Sequence, residues 1–133
     1  SDPLEISVFA VDAPWVEGSG EDPWSSATGG ATWLSTGTGT TWSQAGGSWH
    51  QQLDFGHGAN GLVASQQLTG YDAARDQIEF DVTAVVDAWL DGSLPNHGLV
   101  FVVTQGQYTE YLFASSEAAS SDARPQLVVQ PRL

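Results

Sequence analysis

IEFDVTAVVDAWLDGSLPNHGLVFVVT, Ile78 to Thr104, is the stretch from which the rest of the chain is read. Ile78, Phe80 and Val82 alternate with Glu79 and Asp81, the period of two of a half-buried β-strand. The period then changes. Val82, Val85, Val86, Trp89 and Leu90 make one apolar stripe of an α-helix, leaving Thr83, Asp87 and Asp91 for water. Asp81 or Thr83 can cap the orphan amides at its start, and Gly92 suits a left-handed residue at its end. Roughly two turns of helix do not hold alone, so Trp89 is expected to lie buried against a sheet. Pro95, Asn96 and Gly98 predict a turn. Leu99 to Val103 is an unbroken apolar run and predicts a strand covered on both faces. This unit is scaffold, with no catalytic constellation in it.

Working outward, Leu4 to Val11 predicts a strand, and Gly61–Leu68 and Gln77–Thr83 are expected to pair. Tyr108–Phe113 predicts a strand joined to Leu99–Val103 by a tight connection at Thr104–Gln107. After a polar loop from Ser115 to Arg124, Gln126–Gln130 reads as a short strand between Pro125 and Pro131. Trp15 to Gly61 has another texture, holding eleven of the fifteen glycines and five of the six tryptophans among Ser and Thr. Glycine weakens both helix and strand, while a flexible linker would be poor in aromatics. An ordered but irregular excursion pinned by tryptophans follows. Trp15, Trp24, Trp33 and Trp42 recur every nine residues, as four anchors of a looping chain or without functional meaning. The class expected is all-β, a β-sandwich of jelly-roll type with one short α-helix and a long Gly/Trp-rich irregular segment.

At 133 residues the chain is a single domain, spanning 1–133. Its three basic residues, Arg75, Arg124 and Arg132, face sixteen carboxylates, for a net charge of −13. That balance excludes nucleic acid and anionic membrane surfaces as natural partners, and disfavours acidic polysaccharides. It suits solubility, calcium or a salty medium. With no cysteine, a thiol nucleophile, a zinc ribbon and an iron–sulfur cluster are ruled out. No apolar run approaches a membrane span, so no membrane insertion is expected, and Ser1-Asp2-Pro3 reads as the start of a processed or excised piece.

Phe80-Asp81-Val82-Thr83, then Trp89 and Gly92, Asn96-His97-Gly98-Leu99, Phe113-Ala114-Ser115-Ser116-Glu117 and Arg124-Pro125-Gln126-Leu127-Val128-Val129 follow in a characteristic order. With Trp15-Val16-Glu17-Gly18 and Ala31-Thr32-Trp33 upstream, the chain resembles the DNRLRE, or disaggregatase-related, domains, which overlap carbohydrate-binding module family 96. The resemblance implies a β-sandwich module of secreted or cell-surface proteins, with carbohydrate binding in some members and no catalysis. Members begin with further strands ahead of the one at Leu4–Val11, so the sandwich is expected to be incomplete on its N-terminal side. Exposed edges would then be met by other copies or fragments of the same protein, or the glycine-rich stretch would close the face.

Sugar-binding modules stack the apolar face of a sugar on an exposed ring. Trp15, Trp33 and Trp89 fall on framework positions of the resemblance and are expected in the core. Trp24, Trp49, Tyr71 and Tyr108 lie outside them and are the candidate carbohydrate platforms, each equally able to serve as a packing anchor. Carboxylates gather at Glu17, Glu21 and Asp22 and at Asp72 and Asp76, an oxygen-rich chemistry calcium accepts. They lack the regular spacing of an EF-hand, and the alternative is a solvated acidic surface. No serine sits in a nucleophile elbow, and Gly29-Gly30 and Gly46-Gly47 are followed by neither Lys nor a helix start. The expectation is a non-enzymatic attachment module that takes polysaccharide, or an assembly subunit that joins its own copies through sheet edges.

Overall fold

In the computed structural model, residues 3–18, 29–68, 77–106 and 113–131 are described. They form β1 (Leu4–Ala10), β2 (Leu62–Leu68), α1 (Thr83–Leu90) and β3 (Leu99–Gln105), with one turn of 3-10 helix at Ser121–Ala123. The all-β class with one short helix is what the structure shows. The described strands make one antiparallel sheet in the order β2-β1-β3. No helix among the described residues is long and apolar enough to cross a membrane.

β1 lies at the centre because its apolar residues alternate and both its edges are paired. Leu4, Ile6, Val8 and Ala10 are all buried on one face. They stand opposite Leu68, Gln66 and Ala64 on β2, and Val103, Phe101 and Leu99 on β3, so these residues share that face. Between Val8 and Phe9 the register with β2 slips, passing over Val63, which is itself buried. The opposite face carries Glu5, Ser7 and Phe9. There Ser7 donates to Thr104 Oγ1 at 2.9 Å, and the Thr104 hydroxyl donates onward to Glu5 Oε1 at 2.7 Å.

The alternation of Ile78 and Phe80 is real, but it does not make a strand. Residues 77–82 have no backbone partner in a ladder; they lie over the sheet, with Ile78 and Phe80 packed on Leu4, Ile6 and Leu68. Gln66 Nε2 donates to the Glu79 carbonyl at 2.9 Å, a side-chain tie where a ladder was expected. The expected pairing of Gly61–Leu68 with Gln77–Thr83 is therefore replaced by pairing with β1. Burial of alternate side chains needs a surface beneath them, and a sheet face supplies one as well as a neighbouring strand would.

α1 then crosses the same face, sinking Val85 completely and packing Val82, Val86, Ala88 and Trp89 around a core of Val8, Ala10, Phe55, Val63, Ala64 and Leu94. Trp89 is half-buried, as its place in the stripe requires, but Leu90 turns to solvent. Asp81 Oδ1 accepts the Thr83 amide at 3.0 Å and the Thr83 hydroxyl at 2.6 Å. It does so from one residue ahead of the cap position, Val82. These bonds to the ionised form hold the Asp81 carboxyl below the usual carboxylate range. At the other end the Leu94 amide reaches the Ala88 carbonyl at 3.1 Å around Gly92, whose φ of 79° only glycine takes up without strain.

Two further expectations are corrected. β3 is an outer strand among the described residues, so its apolar run is not covered on both faces: Phe101 and Val103 are each 57% exposed. Gln126–Gln130 forms no strand, because it pairs with no backbone among the described residues. The strand expected at Tyr108–Phe113 falls almost wholly outside the described residues; Phe113, which is described, is exposed and in no strand.

Candidate functional site

Beyond Ala10 the chain leaves the sheet and is clamped from two sides. The Val11 amide donates to the Gly98 carbonyl at 3.0 Å, and the His50 amide to the Ala10 carbonyl at 3.0 Å. Ser48 Oγ donates to Asp12 Oδ1 at 2.6 Å, and an isolated bridge joins Val11 to Trp49. This clamp fixes the base of a loop layer that runs from Gly29 to Gly61. The Trp49 ring stacks on Phe9 with centroids 5.1 Å apart, so one of its faces is taken and the residue is half-buried. Among the four candidate platforms, Trp49 is thus an anchor between the loops and the sheet. Trp24, Tyr71 and Tyr108 lie outside the described residues.

Two tryptophans expected in the core are at the surface instead. Trp15 is exposed, and its indole N–H donates to the His97 carbonyl at 2.7 Å, close over Gly98. Trp33 is 71% exposed. A tryptophan pattern marks where large rings are needed, but cannot say which ring has room beneath the sheet. Here the room is filled by Phe55, Val85 and Leu94.

Exposure does not leave Trp33 loose. Its carbonyl accepts the Gly46 amide at 2.7 Å, and a side chain on Gly46 would put Cβ 2.8 Å from Trp33 Cη2. The benzo ring therefore rests on the bare backbone of Gly46, whose φ of 90° also demands glycine. On the preceding side, Thr32 Oγ1 accepts the Ser35 amide at 3.0 Å, and the Thr32 carbonyl accepts the Trp42 indole N–H at 2.9 Å. Hydroxyls finish the bracing. Thr36 Oγ1 lies 2.8 Å from both Thr38 Oγ1 and Thr40 Oγ1, which are 3.1 Å from each other, and Thr36 is buried.

The chemistry of this layer differs from the rest of the molecule. From Gly29 to Trp49 no residue is charged, although the whole chain carries −13. The layer is otherwise rich in threonine, serine and glutamine: Thr38, Thr40, Thr41 and Ser43 are exposed, and Gln51 Nε2 donates to Gln44 Oε1 at 2.7 Å. Such a surface can stack an apolar ring and exchange hydrogen bonds with hydroxyls, without attracting or repelling ions. The Thr32-Trp33 pair and Gly46 were each visible in the sequence. Their apposition across thirteen residues was not.

The carboxylate candidates do not assemble. Glu17 is exposed and accepts the Ser116 hydroxyl at 3.2 Å, while Glu21, Asp22, Asp72 and Asp76 lie outside the described residues. Among the described residues no three His, Cys, Asp or Glu side chains come together as a metal would require.

An all-β module with a helix over one sheet face and a braced, uncharged aromatic surface on its loops is the class these features define. Residues 20–129 match the family described as the disaggregatase related repeat domain, and the chain belongs to that family, in agreement with the resemblance read from its motifs. No curated protein and no solved structure matches it.

Proposed function

We propose that this domain is a non-catalytic carbohydrate-binding module that attaches a secreted or cell-surface protein to a neutral polysaccharide. The observation that carries the reading is Trp33: an indole open to solvent, yet held on Gly46 and by the hydrogen-bonded turn around it. A ring already fixed in place loses little conformational freedom when a sugar stacks on it, so binding costs less in ordering. The exposed threonine and serine hydroxyls of the same loop layer suit the equatorial hydroxyls of a pyranose. The absence of cationic side chains in the layer, in a chain with no lysine, favours neutral sugars over uronates, which would need Arg or Lys partners.

Titrating neutral and uronate oligosaccharides by calorimetry, alongside Trp33→Ala, tests this. Neutral oligosaccharides are expected to bind, and the variant to bind about tenfold more weakly or worse, the equivalent of roughly 1.4 kcal/mol. Its melting temperature should stay put, because an exposed side chain contributes little to folding. Binding that is indifferent to Trp33, or new reducing ends released from a polysaccharide, would overturn the proposal.

A further inference from the structure

The last described segment, residues 125–131, reads Pro-Gln-Leu-Val-Val-Gln-Pro and behaves as a strand that has no sheet of its own. The chain leading to it is tied down. Ser116 bonds Glu17, and Arg124 Nε donates to the Ala118 carbonyl at 2.7 Å just after the 3-10 turn. Beyond Arg124, whose backbone is extended at φ −71° and ψ 150°, residues 125–130 make no hydrogen bond with the rest of the described chain. Leu127, Val128 and Val129 are 57%, 74% and 57% exposed. Three consecutive branched apolar residues in water, with no backbone partner among the described residues, are a poor resting state.

β3 is short of a neighbour in a complementary way. It pairs with β1 on one side, and among the described residues no strand pairs on the other. Phe101 and Val103 point to the core face at a spacing of two and are half uncovered, the Phe101 ring meeting Phe80 in a T-shaped pair with centroids 5.4 Å apart. Leu127 and Val129 have that same spacing. Laid beside β3, they would continue its apolar face, while the backbone of 126–130 met its free edge.

Charge selects the partner. Two copies of a chain at −13 repel one another over most of their surfaces. Leu99–Gln105 and Pro125–Pro131 carry no charge at all, so copies can approach there without bringing carboxylates together. Within one molecule the segment joins no sheet among the described residues. We propose that residues 126–130 add as a strand to the outer edge of β3, which no described strand occupies, in a second copy of this domain. Pro125 and Pro131 limit the added ladder to those five residues, because neither can donate a backbone hydrogen bond. The inference stands on these two segments and is independent of the sugar surface.

Light scattering of the chain across a concentration series tests it, with Val128→Pro as the first variant. Val128 is 74% exposed and has no ladder bond to a described residue, so the variant should keep the wild-type melting curve while its association weakens about tenfold or more, from the lost donor and the ring's clash. A synthetic peptide of sequence PQLVVQP should return the wild-type chain to monomers, and its counterpart with proline at the second valine should not. On the acceptor side, Val103→Lys should associate poorly with itself but recover when mixed with Val129→Glu chains. Three results would overturn the proposal: a monomer at every concentration, association that ignores Val128→Pro, or a Val128→Pro monomer that melts early because the segment pairs within its own chain.

Discussion

β1 and the layer from Gly29 to Gly61 touch where Trp49 stacks on Phe9 and the His50 amide meets the Ala10 carbonyl, yet they keep their groups satisfied by different means. In β1 every second residue is apolar and buried, and backbone ladders on both sides consume its amides and carbonyls. In the loop layer the backbone turns at glycines with positive φ, at 37, 39, 46, 47, 56, 58 and 61 among others, and side-chain hydroxyls and indoles take the place of a ladder. The contrast shows why the aromatic surface sits where it does. A ladder commits a strand's side chains to one of two faces, whereas a glycine-rich loop can bring a ring over bare backbone and leave its other face to solvent.

The contrast breaks first at the sheet. Leu68 is almost wholly buried beside Leu4 and Ile6, and Leu68→Ala is expected to cost about 2–5 kcal/mol in urea unfolding, through lost burial and the cavity left behind. Sugar binding at temperatures where the variant is still folded should be unchanged. A loss of affinity there would mean that the two regions are not separable.

Gly46→Ala strikes the loop layer instead. The new methyl would meet the Trp33 ring and the backbone would be held at φ 90°, for an expected cost of about 1–3 kcal/mol. The ring must also leave its seat. Near-ultraviolet circular dichroism should report a changed tryptophan environment and calorimetry a weaker sugar complex, and an unaltered spectrum would show that Gly46 is not what holds Trp33.

The smallest effect concerns the start of α1. Because the folded pKa of Asp81 is lowered by its bonds to Thr83, the carboxylate stabilises the fold above its unfolded pKa, and that contribution is lost as pH falls through the lower folded value. Asp81→Asn should therefore melt earlier than the wild type near neutral pH, with the difference shrinking in acid below the usual carboxylate range. A difference that persisted unchanged there would assign the effect to packing and not to charge.

How far the sequence could be read depends on how local each signal was. α1 was legible because Val82, Val85, Val86 and Trp89 keep helical spacing, and Asp81 and Gly92 mark its ends. Leu4–Ala10 and Leu62–Leu68 were legible as strands through their composition, but not their partnership. Ile78 and Phe80 misled by alternating without a strand beside them. Among the site residues, the motif around Trp33 points to the core, whereas the ring's position depends on Gly46 thirteen residues away.

By itself the sequence determined the all-β class, the short helix, the irregular Gly/Trp-rich stretch and the concentration of charge outside residues 29–49, since each follows from composition or from periods within a few residues. The tertiary structure alone decided that β1 is central, that Trp49 is an anchor and Trp33 a presented ring, and that β3 and the segment after Arg124 are left with free apolar groups. Those outcomes turn on contacts such as Ser7 with Thr104, 97 residues apart. No local pattern encodes which distant surface will lie beneath a side chain.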